Sequence, residues 1–215
     1  MQVPDAATDL WALRDHVASY LAEDDALLSA RAAASRAGCG PVGADAGAAL
    51  RFLAATIGAR AVVEIGTGTG VSGLWLLRGM ADDGVLTSID VDPEHQRVAR
   101  GVFTEAGYGP SRLRLINGMG LEVLPRLTDA GYDLVFIDAG PADHARYLDE
   151  AVRLLRDGGI VALGGVLTAG VVDPEADDDT TLALREVAHL VREDTRLVPV
   201  LLPLGDGLLA AVKTA

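Results

Sequence analysis

Lysine, asparagine and cysteine each occur once in these 215 residues, as Lys213, Asn117 and Cys39. A single cysteine excludes an internal disulfide and fits a reducing compartment. Cys39 itself reads as a small residue in a turn. Basic residues are scarce as a class: 18 Lys and Arg stand against 31 Asp and Glu, a formal net charge of −13. A surface that acidic repels phosphate backbones, so neither nucleic acid nor an anionic membrane is an expected partner. Strongly anionic substrates such as acyl-CoA esters are disfavoured for the same reason. Half the residues are apolar, yet no run reaches the roughly 18 apolar residues that a membrane helix needs. The N-terminus carries Asp5, Asp9 and Asp15 and lacks a basic region followed by an apolar stretch. No signal peptide is read there, and the expected location is the cytoplasm. Repeats, linkers and low-complexity tracts are missing too. The length suits one α/β domain, with residues 1–59 as N-terminal helices and residues 60–215 as its core.

What is present starts with helices. Ala- and Leu-rich segments over Thr8–Leu21, Ala26–Ala37 and Ala44–Ile57 are separated by short breaks. Asp24-Asp25 can cap the second, and Gly38-Cys39-Gly40-Pro41 ends it. From Ala61 short β-branched runs alternate with amphipathic helices. The runs are Val62–Ile65, Val85–Ile89, Leu113–Ile116, Leu134–Ile137 and Ile160–Leu163. Continuous apolar runs of this length suit strands of a parallel sheet buried on both faces. After the fourth run, Tyr147, Leu148, Ala151, Val152 and Leu155 form one helical face, which Gly158-Gly159 is read to end. A helix over Thr181–Val191 leads to Leu197–Leu202 and Leu208–Val212, joined through Gly205-Asp206-Gly207. The expected fold is a Rossmann-like, doubly wound α/β sheet with a C-terminal antiparallel hairpin and extra N-terminal helices.

The strongest local signal is Val62-Val63-Glu64-Ile65-Gly66-Thr67-Gly68-Thr69-Gly70, with a helix from about Val71. A strand that runs into a glycine turn and a helix lets a ligand approach the backbone. Gly68-x-Gly70-x-x-Gly73 also matches the dinucleotide fingerprint, so the glycines alone leave two cofactor classes open. Three features favour S-adenosylmethionine. Glu64 would repel a pyrophosphate but could help hold an ammonium group. The hairpin is unusual for a dehydrogenase. Asp90, ending the second strand, can accept hydrogen bonds from both ribose hydroxyls. Asp92 before Pro93 reads as a helix cap.

The glycine loop, Asp90, the run Tyr132-Asp133-Leu134-Val135-Phe136-Ile137-Asp138 and the Gly-Asp-Gly turn resemble the catechol and caffeoyl-CoA type O-methyltransferases, in particular the actinobacterial ones. The resemblance extends over nearly the whole chain. It implies that Glu64, Gly66, Thr67 and Ser72, with Gly68 beside them, line the methionine end of S-adenosylmethionine. It assigns Asp90 and Val91 to the ribose and adenine edge. Gly118, Met119 and Gly120 match the adenine loop, Val42 matches a cofactor-covering position, and Asp138 matches the first metal ligand. Metal-dependent members add an Asp-Asn pair after the fifth strand and a lysine base three residues past the first metal aspartate. Here those positions hold Gly164-Gly165 and Pro141. No divalent metal is therefore expected, since such ions take several oxygen ligands.

Without a metal, a hydroxyl acceptor needs a base. His144, at the start of the helix after Asp138, is the first candidate, and Asp138 is the second. His16 is weaker, while His95 and His189 read as surface helix residues. The acidic stretch Asp173 to Asp179 reads as a solvated loop with Asp179 or Thr180 as a helix cap. Trp11 and Trp75 read as packing residues. The leading expectation is an O-methyltransferase acting on a small hydroxylated, phenolic molecule. One alternative is an S-adenosylmethionine-binding protein that has lost catalysis. Another is an NAD-dependent oxidoreductase, although no Tyr-x-x-x-Lys pair is recognisable. The resemblance also implies a homodimer, with the N-terminal helices and the hairpin as contact surfaces.

Overall fold

A computed structural model describes residues 6–215, with side chains from residue 12 onward. The side chain of Trp11 lies outside the described residues. Three helices, α1 (Ala6–Ser19), α2 (Asp25–Ala37) and α3 (Ala44–Thr56), precede β1 (Ala61–Ile65). Then come α4 (Val71–Gly79), β2 (Val85–Asp90), α5 (Pro93–Glu105), β3 (Leu113–Asn117), the short α6 (Gly120–Val123) and β4 (Tyr132–Ile137). The chain closes with α7 (His144–Leu154), β5 (Leu155–Gly164), the short α8 (Ala169–Val172), α9 (Asp179–Glu193), β6 (Leu197–Leu202) and β7 (Leu208–Lys213).

The seven strands form one sheet in the order β3-β2-β1-β4-β5-β7-β6. The first five are parallel, while β7 runs antiparallel to both β5 and β6. This is the doubly wound sheet with a terminal hairpin that the run pattern predicts. Alternation along each strand divides the core. Val62, Leu134 and Phe136 face Leu27, Leu50, Leu74, Trp75 and Phe103 on one side. Val63, Ile65, Val135 and Ile137 face Tyr147, Leu148, Val152, Leu184 and Val187 on the other.

The N-terminal helices are fastened to the core by close backbone approach. A Cβ at Gly47 on α3 would lie 2.3 Å from Trp75 Cδ1, so the indole of α4 occupies the space that glycine leaves. Trp75 is thus a packing residue, as read. Asp24 caps α2 through Leu27 N (3.1 Å) and pairs with Arg78 of α4. Asp92 caps α5 by accepting from Glu94 N (2.8 Å), with Pro93 in the first turn.

Element ends shift by a few residues from the sequence reading, and two of the shifts change a residue's role. The face that starts at Tyr147 ends at Leu154, and Leu155 opens β5 opposite Tyr132. Gly158-Gly159 therefore interrupt a strand instead of ending a helix. The β4–β5 register shifts between Tyr132 and Leu134, and the extra residues are taken up there. The cap of α9 is Asp178, which accepts from Thr181 N (3.0 Å), in place of Asp179 or Thr180. No described helix is long and apolar enough to cross a membrane.

Candidate active site

The crevice sits at the C-terminal ends of β1, β2 and β4, where the strand order reverses and open α/β sheets bind ligands. A cavity of about 350 Å³ opens there. Its floor is the turn from β1 into α4. Gly66 adopts φ +97°, and a Cβ on it would lie 2.1 Å from the carbonyl oxygen of Asp138. Only glycine lets the β1 turn and the end of β4 close to this distance.

Asp90 ties the turn down. One carboxylate oxygen accepts from Gly68 N (2.8 Å) and the other from Asp92 N (2.9 Å). Each oxygen retains a lone pair for a further donor. Beneath the turn lies a buried polar chain. Ser72 and Ser88 donate to the two oxygens of Glu64 (2.6 and 2.5 Å). Because the Ser88 proton is committed, Thr67 donates to Ser88 Oγ (2.6 Å), and Gln96 Nε2 donates to Thr67 (2.7 Å). Glu64 has no cationic partner among the described residues, and burial pushes its carboxyl from 4.5 up to about 7.

The sequence-predicted residues fall into two groups. Gly66, Thr67, Gly68, Ser72, Asp90, Val91, Gly120 and Asp138 line the cavity. Glu64, Val42, Met119 and His144 do not. Glu64 is fully buried below the wall. Val42 borders a second, smaller recess, together with Gly164, Gly165 and Asp206. Met119 is 53% exposed, and its neighbours Gly118 and Gly120 form the wall. His144 is buried, donates from Nε2 to Ala139 O (3.0 Å), and leaves Nδ1 without a partner. Burial depresses its basicity.

Four further residues were not singled out for the site from sequence. Cys39, read as a turn residue, lines the cavity. His95, read as a surface residue, also lines it, with Nδ1 3.6 Å from Asp90 Oδ2. It stands in the first turn of α5, directly after the strand end that carries Asp90, which draws it inward. Tyr147 packs on Gly120, whose Cβ would lie 3.0 Å from the phenolic oxygen. Asp206, in the hairpin turn, borders the smaller recess.

Asp138 joins the two spaces. It lines both, together with Gly40 and Pro41. Its carboxylate has no hydrogen-bond partner among the described residues. Burial, reinforced by the negative charge of Asp206, pushes it from 3.8 up to about 6. A Cβ at Gly164 would lie 2.9 Å from Asp138 Oδ1, so the glycine leaves the carboxylate uncovered. Among the described residues, no group of three His, Cys, Asp or Glu side chains is placed to hold a metal ion.

The sequence profile of the O-methyltransferase family matches residues 22–214. The chain belongs to that family. A Mycobacterium tuberculosis protein named "Probable O-methyltransferase" is 55% identical, with 98% of this chain and 93% of the relative covered. Among solved structures, a Corynebacterium glutamicum protein is 36% identical, with a TM-score of 0.90 over 96% of this chain and 98% of that one. The Streptomyces achromogenes O-methyltransferase of tomaymycin synthesis, solved with SAM, is 29% identical with a TM-score of 0.86. It covers 96% of this chain and 98% of its own. Membership makes this O-methyltransferase family member a methyltransferase, and it decides between the two readings of the glycine loop.

Proposed function

We propose that this methyltransferase moves a methyl group from S-adenosylmethionine to a hydroxyl of a small phenolic acceptor, without a divalent metal. The observation that carries this reading is the unpartnered carboxylate of Asp138 at the junction of the two recesses. The larger cavity suits the cofactor. Its volume lies in the range of small-ligand sites, and a Cβ would fill the cradle at Gly66. Thr67, Gly68 and Ser72 would hold the amino-acid end and Asp90 the ribose hydroxyls, while Val91, Gly118 and Gly120 would flank the adenine. The solved Streptomyces neighbour, bound to SAM, supports the assignment. The cofactor supplies a methyl group on a positively charged sulfur, and the protein supplies alignment and water exclusion.

Asp138 then takes the acceptor proton. A phenol has a pKa near 10. Against an ordinary aspartate the gap is roughly 6 units, or about 8 kcal/mol. Raising Asp138 to about 6 reduces that to roughly 5 kcal/mol. Orientation of the reacting groups contributes about 7–11 kcal/mol, so alignment outweighs the remaining proton mismatch. His144 is not given this role because it does not reach the cavity. Metal assistance is left out because Gly164-Gly165 and Pro141 supply no ligand and no lysine.

Supporting the homodimer reading, Tyr20 and Phe52 of the N-terminal helical region and Val198, Val200 and Leu201 of β6 expose apolar side chains. We place the enzyme in the cytoplasm as a homodimer, which sedimentation would check. The decisive experiment is a calorimetric titration with S-adenosylhomocysteine followed by methyl transfer to a phenol panel. Binding with turnover is expected. Binding without turnover on any phenol would favour a cofactor-binding protein that has lost catalysis, and no binding would overturn the proposal.

A further inference from the structure

The acceptor recess has a charge pattern that the proposed reaction does not require. It is lined by Gly40, Gly43, Gly164, Gly165 and Gly207, by small aliphatic groups, and by two carboxylates, Asp138 and Asp206. The adjoining cavity adds Asp90 and His95. Among the described residues, no arginine or lysine lines either space. Arg14 reaches the hairpin turn, where it donates to Gly205 O (2.8 Å), but it does not line the recess. Asp45, also beside the turn, directs its carboxylate to Gly205 N (2.8 Å) and Ala46 N (2.9 Å). Among the described residues, Asp138 and Asp206 have no such partners. Asp206 engages the structure through its backbone, accepting from Leu167 N (2.7 Å).

Asp138 is largely buried and Asp206 is exposed at the rim. Neither carboxylate has a hydrogen-bond partner among the described residues, their like charges repel, and a ligand cation would relieve that repulsion. An acceptor carrying a carboxylate or phosphate would add a third negative charge beside Asp138 and Asp206. We propose that the acceptor of this enzyme is a hydroxylated molecule bearing a protonated amine, with Asp206 as the counter-charge that selects it. This rests on the reading of the recess as the acceptor site. The recess itself measures about 60 Å³ and opens at Asp138 into the larger cavity, so the molecule spans that junction, with Asp138 at its hydroxyl end and Asp206 at its ammonium end. Asp206 is a specificity residue here and takes no part in proton transfer.

The test uses three phenols of matched shape: tyramine, uncharged 4-ethylphenol and 3-(4-hydroxyphenyl)propionate. Each is titrated by calorimetry at pH 7 into the full-length protein saturated with S-adenosylhomocysteine. Tyramine is expected to bind about tenfold or more tighter than the propionate, with 4-ethylphenol between them. Asp206→Asn should compress that ratio to within about threefold, and Asp206→Lys should invert it. The S-adenosylhomocysteine titration on the same samples reports whether each variant is folded. Equal affinities, a preference for the propionate, no binding of tyramine, or a ratio unchanged in a folded Asp206→Asn would each overturn the inference. The reading beneath it fails differently: it falls if the wild-type protein does not bind S-adenosylhomocysteine at all.

Discussion

The two halves of the crevice are built on opposite principles. The half under the β1 turn is over-determined. Asp90 accepts two backbone N–H groups, Glu64 accepts two serine hydroxyls, and Gly66 closes to contact distance with the end of β4. The half bounded by Gly164, Gly165 and the hairpin turn has been emptied. Its glycines leave Asp138 uncovered, and among the described residues neither of its carboxylates has a hydrogen-bond partner. On the function proposed above, the preorganised floor would hold the cofactor and the emptied recess would be where this chain sets its own acceptor. Such a division makes distinct claims about the two halves, and mutation can separate them.

The largest effect is expected on the acceptor side. Asp138→Asn should lower kcat/KM by about 10²–10⁴-fold, the usual contribution of a general base. The ionised carboxylate is the active form, so wild-type kcat/KM should rise with pH through about 6, where burial and Asp206 place this group. That limb should vanish in the variant. A variant within about threefold of wild type would remove Asp138 from the chemistry.

On the other side, Glu64→Gln probes the floor through stability. Burial raises Glu64 from 4.5 to about 7, so between those values the folded protein binds more protons than the unfolded chain. Stability from this group is full below pH 4.5 and is lost as pH rises through about 7, by of order 3 kcal/mol. Glutamine keeps the acceptor for Ser88 and offers its amide to Ser72, so denaturation between pH 5 and 8 should become flatter in the variant. An unchanged pH dependence would show that Glu64 is ionised at little cost. Asp90→Asn comes next. It turns one acceptor into a donor that faces a backbone N–H, and it removes a partner for the ribose. S-adenosylhomocysteine binding should weaken roughly 10- to 150-fold, the equivalent of about 1.5–3 kcal/mol for hydrogen bonds to a charged group.

The floor was legible in the sequence because its cause is local. A strand, a glycine turn, a helix and an acid ending the next strand are contiguous signals. The doubly wound class of the sheet and the hairpin followed from run length and spacing. Glu64 shows how the reading fell short. It shares strand parity with Val62, which belongs to the cluster that includes α4, so period-2 alternation already directs it toward Ser72 and away from the cavity lining. His144 is similar: with Tyr147, Leu148 and Ala151 it stands at positions i, i+3, i+4 and i+7 of one buried stripe. Asp206 had no local signal. It meets Asp138 only because β7 returns antiparallel to β5, and that pairing brings the turn over the sheet edge. Cys39 and His95 were likewise assigned by their immediate neighbours, whereas the fold places them on the cavity wall.

The smallest expected effect is also the sharpest separation from metal-dependent relatives. Methyl transfer measured with excess chelator should stay within about twofold of the rate with magnesium, because no step proposed here uses a Lewis acid. A divalent ion of this kind takes six or more oxygens, several of them from protein carboxylates or carbonyls. The recess offers Asp138 and Asp206, and the backbone at 164–165 carries no side chain that could add a third. Restoring one is obstructed as well. A Cβ at Gly164 would sit 2.9 Å from Asp138 Oδ1, so Gly164→Asp forces the existing carboxylate aside before any ion could bind. Rate loss of tenfold or more on chelation, recovered by added magnesium, would mean that substrate oxygens complete a site the protein only begins. The emptied half of the crevice would then be a metal site in waiting, and the contrast with the floor would lose its chemical meaning.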